Sequence, residues 1–266
     1  MDHTSSAPLA VVTGASSGIG FELARQFARH GYDLIVAAED DGLGAAVAAL
    51  KAEGAAVEGV QVDLASYDGV EELYGRIASE RRAVDAIAIN AGVGVGGPFI
   101  QNDLGAELNL IALNVTGSVH LAKRVLKDMA ARGEGRVLFT SSIAAEMPGP
   151  FEAVYAASKA FIQSFAEALR NELKDTNVTV TALQPGPTDT NFFHRAGMDD
   201  TRVGAGSKDD PAEVARQGFE ALMKNKDHVV AGSLKNRVQS TIAQVAPEPA
   251  LAEMHRHLSE PGSGST

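Results

Sequence analysis

The sequence predicts an α/β fold, in which one parallel sheet of about seven strands is doubly wound and carries helices on both faces. Three observations lead there. Apolar runs of strand length alternate with longer stretches of helical period along nearly the whole chain. A glycine-rich turn follows the first of those runs directly. Aromatic residues make up only 5% of the chain and Trp is absent, so the core must be built from Ala, Val, Leu and Ile, as in sheets buried on both faces.

The elements follow in order. Pro8–Thr13 reads as the first strand. Gly18–His30 reads as a helix, because Ile19, Leu23 and Phe27 recur on one stripe and Gly31 supplies a stop. A second strand (33–38), a helix (42–53), a third strand (57–62), a helix (67–81) and a fourth strand (84–89) continue the alternation. One long helix is expected over 104–131, then a strand over 136–140 and a second long helix over 151–174. A sixth strand (178–183), a helix over 210–224 with Pro211 in its first turn, and a short last strand (228–231) complete the pattern. Alternation of this kind implies right-handed crossovers, with ligands at the carboxyl ends of the strands. The chain reads as one domain over 1–258, with a mobile loop over the site at 189–210. The Gly/Ser/Pro-rich tail, 259–266, is expected to be disordered.

Bulk properties narrow the function. A net charge of −11 repels nucleic acid and anionic membranes. No apolar run approaches the roughly 20 residues of a membrane span, and no secretory signal is visible. The absence of cysteine excludes disulfides, thiolate metal sites and cysteine nucleophiles, and it fits the cytoplasm.

Thr13–Gly20 reads TGASSGIG between the first strand and the first helix. There the glycines permit a tight turn and close backbone approach, and the helix start offers free N–H groups to a diphosphate. The expected contacts are Gly14, Ser16, Ser17, Gly18, Ile19 and Gly20. No Lys-Ser/Thr pair follows, which argues against a P-loop nucleotidase. Tyr155 and Lys159 stand four residues apart and so share one helix face. A nearby ammonium favours the phenolate, letting Tyr155 exchange a proton with a carbonyl or alcohol oxygen.

With these motifs the chain resembles the short-chain dehydrogenase/reductase family, in its short single-domain branch with a Rossmann-like sheet. Asn90-Ala91-Gly92, Ser142 with Tyr155 and Lys159, and Pro185-Gly186 match further family motifs in the right order, over Leu9–Ala231. Ile89, where the family often has Asn, is a departure. The resemblance implies that Ser142, rather than the adjacent Ser141, hydrogen-bonds the substrate oxygen. It implies that Asn114, an awkward residue inside a helix, holds a water linking Lys159 to solvent. It also implies that Asp63 and Leu64 meet the adenine, that Asn90, Ala91 and Gly92 line the groove, and that Pro185, Gly186, Thr188 and Thr190 hold the nicotinamide carboxamide.

Ala38-Glu39-Asp40-Asp41 falls at the end of the second strand, where family members meet the adenosine ribose. The basic residues common in NADP-dependent members are absent at Ser17 and Glu39, so NAD(H) is expected over NADP(H), with Glu39 at the ribose. The expected reaction interconverts a secondary alcohol and a ketone or aldehyde. The alternatives are an NADPH-dependent ketoreductase, or a dinucleotide-binding regulatory protein without turnover.

Val93, Val95, Met147, Pro148, Phe151, Phe192, Phe193 and Met198 are the expected apolar liners of a substrate pocket, which favours apolar ketones or alcohols over sugars. His194 and Arg195 read as exposed loop charges. His255 and His257 lack nearby ligands and read as surface residues, so no metal is expected. The resemblance implies a homo-oligomer, dimer or tetramer, joined through the two long helices, where Ala156, Ala157, Ala160, Phe161, Phe165 and Leu169 suit packing.

Overall fold

The computed structural model describes residues 7–243 and 245–265. Seven parallel strands form one sheet in the order β3-β2-β1-β4-β5-β6-β7. They are β1 (Leu9–Thr13), β2 (Asp33–Ala38), β3 (Val57–Gln61), β4 (Ala86–Ile89), β5 (Glu134–Thr140), β6 (Asn177–Pro185) and β7 (His228–Ala231). The order reverses between β1 and β4, so a crevice opens above their carboxyl ends.

Each face of the sheet carries its own aliphatic core. On one face α1 (Gly18–Arg29), α2 (Leu43–Ala52) and α9 (Pro211–Met223) cover Val12, Val36, Leu138 and Leu183, with Phe27 and Phe219 meeting edge to face. On the other, α3 (Tyr67–Ser79), α5 (Ser118–Arg132) and α6 (Ala153–Glu172) cover Val11, Ile35, Ile87 and Val137. Side chains alternate between the two cores along each strand, as a pleated sheet buried on both sides requires. Phe165 and Leu169 are half-buried and pack against this second core.

The structure corrects several expectations. The long helix expected over 104–131 runs unbroken from Leu104 to Arg132, but one stretch of it is π-helical. It comprises α4 (Leu104–Ile111), a π-helical turn (Ala112–Gly117) and α5. The segment over 189–210 contains two short helices, α7 (Phe192–Arg195) and α8 (Arg202–Ala205). Its two ends are joined by an isolated parallel bridge between Thr188 and Asp209.

Beyond β7 lie two helices that periodicity did not reveal, α10 (Leu234–Ala243) and α11 (Glu248–Ser259). Asn236 fastens α10 to Asp209 and to the Ala231 carbonyl, and Ser240 fastens it to Glu146. The tail is not disordered over its described residues. Ser259 is buried and donates to Glu152 at 2.8 Å. The Gly262 and Gly264 amides donate to Asp200, and the Ser263 hydroxyl accepts from the Arg202 amide. Thr266 lies outside the described residues. The tail's glycines form a turn that docks on α8, instead of loosening the chain.

Candidate active site

The phosphate-binding turn is shaped by its glycines. Gly14 has φ +66°, and a side chain there would drive a Cβ to 2.9 Å from the Ala91 Cα. Ser17, the N-cap of α1, is extended and its side chain makes no capping bond. The first N–H groups of α1 therefore have no side-chain acceptor, which suits a diphosphate. Thr13, fully buried at the end of β1, locks the turn to the neighbouring strand, with its Oγ1 accepting from the Asn90 and Ala91 amides at 2.9 and 3.0 Å. Asn90 is held in turn by Thr140, whose hydroxyl donates to its Oδ1 at 2.9 Å.

One cleft runs from this turn to the C-terminal helices. It is lined by Gly14, Ser16 through Gly20, Glu39, Asp63, Leu64, Asn90, Ala91 and Gly92, and further along by Ser142, Tyr155, Lys159, Pro185, Gly186, Thr188 and Thr190. Asp40 also lines it, a contact not singled out from the sequence. Its carboxylate accepts from the Ser16 hydroxyl at 2.7 Å and from the Gly42 amide at 2.9 Å. An acid bonding to its own backbone two residues on is common in turns and left no distinctive signal in the sequence.

Tyr155 and Lys159 sit on consecutive turns of α6, both buried, with Lys159 Nζ 5.7 Å from the centre of the Tyr155 ring. Nζ donates to the Thr140 carbonyl at 2.9 Å. Burial lowers the Lys159 ammonium to about 8. Burial also raises the Tyr155 phenol well above its ordinary value, with the Glu152 carboxylate adding to the rise and a hydrogen bond with Ser142 opposing it. The expectation of a depressed phenol is thus reversed in the protein by itself. Loss of water around the phenol is the largest cause. Ser141 points elsewhere and donates to the Lys159 carbonyl at 2.9 Å.

Asn114 is placed one layer back from the cleft, buried in the π-helical turn. Its amide pairs with both the N–H and the C=O of Val93 at 2.9 Å, and donates to Ser158 at 3.1 Å. A widened turn gives the side chain room to reach sideways to the strand-end loop. A Cβ on Gly92 would meet both Asn114 and Lys159, so the three converge.

The substrate end differs from expectation in its walls. Val93, Met147, Phe192 and Phe193 line it, and the Phe192 ring lies 5.1 Å from that of Tyr155. Val95, Pro148, Phe151 and Met198 do not. Met198 is enclosed with Phe193 and Ala196 in a small core of its own, and the Phe151 ring lies under Arg256. The missed residues are Glu152, Gln239, His255, Leu258 and Ser259, most of them from α10 and α11. His255 is a correction. It is buried, with Nδ1 3.2 Å from the Pro150 carbonyl and Nε2 3.5 Å from Glu152. His257 stays exposed beside Glu253. Arg195 lines the cleft from the exposed side, while His194 pairs with Asp199. Among the described residues no group of acidic, histidine or cysteine side chains could hold a metal, and no helix is long and apolar enough to cross a membrane.

Comparison with known proteins agrees with this geometry. A family model described as short chain dehydrogenase matches residues 8–200. An uncharacterized oxidoreductase of Staphylococcus saprophyticus is 31% identical over 218 residues, 81% of this chain and 91% of that protein. A short-chain dehydrogenase from Sphingobium yanoikuyae, solved with NADPH, superposes with a TM-score of 0.78 at 30% identity, covering 84% of this chain and 87% of that one. A short-chain dehydrogenase/reductase from Burkholderia phymatum, solved with NAD, shares the fold with a TM-score of 0.83 at 24% identity, covering 96% and 97%.

Proposed function

The chain belongs to the short-chain dehydrogenase/reductase family, and from that premise we propose that it interconverts a secondary alcohol and a ketone or aldehyde, with Tyr155 exchanging the proton. The observation that carries this reading is the convergence of Tyr155, Lys159 and Ser142 in the same cleft as the glycine turn. A nicotinamide dinucleotide, when bound, supplies or accepts the hydride, and in oxidised form adds a positive charge. The α1 amides and Gly14–Gly20 would hold its diphosphate, Asp63 and Leu64 its adenine, and Pro185–Thr190 its carboxamide end. Ser142 orients the substrate oxygen against the Tyr155 hydroxyl. Tyr155 donates its phenol proton to a carbonyl oxygen in reduction, and in oxidation it accepts the alcohol's proton as the phenolate, the form that a neighbouring ammonium and an oxidised nicotinamide ring favour. Lys159 stabilises the phenolate, and Asn114, whose amide is spent on Val93 and Ser158, braces the loop beside it.

Tyr155→Phe removes the only atom able to make that transfer at this position. It should lower kcat for ketone reduction by ~10³-fold or more while NADH binding, read by nucleotide fluorescence, is retained. Undiminished turnover would dismiss the mechanism, and retained binding with no native turnover on any ketone would favour the regulatory reading.

We assign NAD(H) as the preferred cofactor. Glu39 and Asp40 both line the ribose end of the cleft, and a phosphate dianion beside two carboxylates is disfavoured. The NADPH bound to the Sphingobium relative makes the contrary outcome concrete. The native enzyme should show kcat/KM at least ~10-fold higher with NADH than with NADPH. The reverse preference would overturn the assignment. We place the enzyme in the cytoplasm, working as a homo-oligomer on a small carbonyl or alcohol.

A further inference from the structure

Glu152 is the N-cap of α6, three residues before Tyr155 and so on the same helical face. Its side chain makes no capping bond. It turns instead into the cleft wall, 6% exposed. One carboxylate oxygen, Oε2, accepts from Ser259 Oγ at 2.8 Å and lies 3.5 Å from His255 Nε2. His255 is fixed from its other side, since Nδ1 must carry the proton it shares with the Pro150 carbonyl. The second oxygen, Oε1, has no hydrogen-bond partner among the described residues, and it is not one of the polar atoms sealed from solvent. The backbone is strained to achieve this. Phe151, directly before Glu152, has φ +65°, where aromatic residues are rarely found.

A structural latch for α11 needs only Oε2. It leaves unexplained a second oxygen without a protein partner in the wall of a cleft that Met147, Phe193 and Leu258 also line, where a poorly solvated carboxylate is costly. We infer that Glu152, steadied by Ser259, is a specificity-determining residue that accepts a hydrogen bond from a hydroxyl group on the substrate, away from the reacting carbonyl. The substrate class is then a hydroxyketone or the corresponding diol, which deepens and rests on the alcohol–ketone reading above. A hydroxyl fits better than its rivals. A substrate carboxylate would be repelled by Glu152. A substrate ammonium would have to pass the Arg195 guanidinium that lines the same cleft, and would lose its water in an apolar pocket. Burial raises the Glu152 carboxyl to about 7, and a hydroxyl can pair with it in either protonation state.

The test uses methyl ketones of graded length bearing a terminal hydroxyl, each paired with the ketone in which a methyl group replaces that hydroxyl. The readout is the ratio of kcat/KM within a pair, because any general damage to folding or to Tyr155 acts on both members alike. In the native enzyme at least one pair should favour the hydroxyketone by ~10-fold or more. Glu152→Gln should reduce that ratio at least ~3-fold, and Glu152→Leu should bring it to one or below. Turnover of both members with a native ratio near one at every length overturns the subsite and leaves the oxidoreductase reading standing, and this outcome needs no variant. A native preference that survives in Glu152→Leu also overturns it. Absence of turnover on every ketone with either nucleotide overturns both readings together.

Discussion

At the scale of single residues, the pocket sets Glu152, Tyr155 and Lys159 against their ordinary habits. Glu152 is the clearest case for stability. An unfolded chain ionises this carboxyl near 4.5, whereas the folded protein holds its proton until about 7. Its contribution to stability is therefore complete below pH 4.5 and is lost as pH rises through 7. That gap corresponds to about 3 kcal/mol across the window. Glu152→Gln keeps the shape and removes the charge. It should leave the melting temperature nearly unchanged at pH 4.5 and raise it by several degrees at pH 8. An equal shift at both values would mean that burial of this carboxylate costs nothing. The sequence could not have disclosed this. Glu152 follows an ordinary Pro-Phe pair, and the partners that matter, His255 and Ser259, stand more than a hundred residues away.

At the scale of elements, what the sequence discloses is what local periodicity and short motifs encode. The seven strands follow from apolar runs, and the turn at Gly14–Gly20 from its glycines, because each is specified within a few residues. The π-helical stretch at Ala112–Gly117 was invisible, because one inserted residue per turn changes hydrogen bonding without changing the apolar pattern. Asn114 was the one clue, as a poor helix-interior residue with no visible reason to be there. Its reason is the loop after β4. Asn114→Ala would leave the half-buried amide and carbonyl of Val93 without their side-chain partner, at a cost of roughly 1–3 kcal/mol. The variant should unfold at lower denaturant, and its kcat should fall through displacement of Gly92 and Lys159. A variant with native stability would show that the π-helical turn holds the loop without the amide. The helices α10 and α11 escaped for a different reason. Their stripes are short and interrupted by polar residues that find buried partners only in the folded chain, such as Asn236, Ser240 and His255.

At the scale of the whole molecule, the apolar surface left outside both cores has a definite place. Leu104, Leu108 and Ile111 recur along the outer face of α4, all exposed, and Phe99 and Ile100 lie exposed just before it. Phe161 is exposed on α6, which packs directly against α4. Large apolar side chains concentrated on two adjacent helices mark a contact surface more often than chance does. The face expected from the sequence lies on the same two helical stretches, with Phe161, Phe165 and Leu169 among its residues. A second exposed stripe, Leu234, Val238 and Ile242, follows α10. The two surfaces can be told apart. The native protein should sediment as a dimer or larger. The double substitution Leu104→Glu and Leu108→Glu places like charges opposite each other in a twofold contact, and it should yield monomers that keep the native circular dichroism. If the double variant keeps its mass, the α10 stripe becomes the contact. If the native protein is already monomeric, neither surface joins copies of this chain.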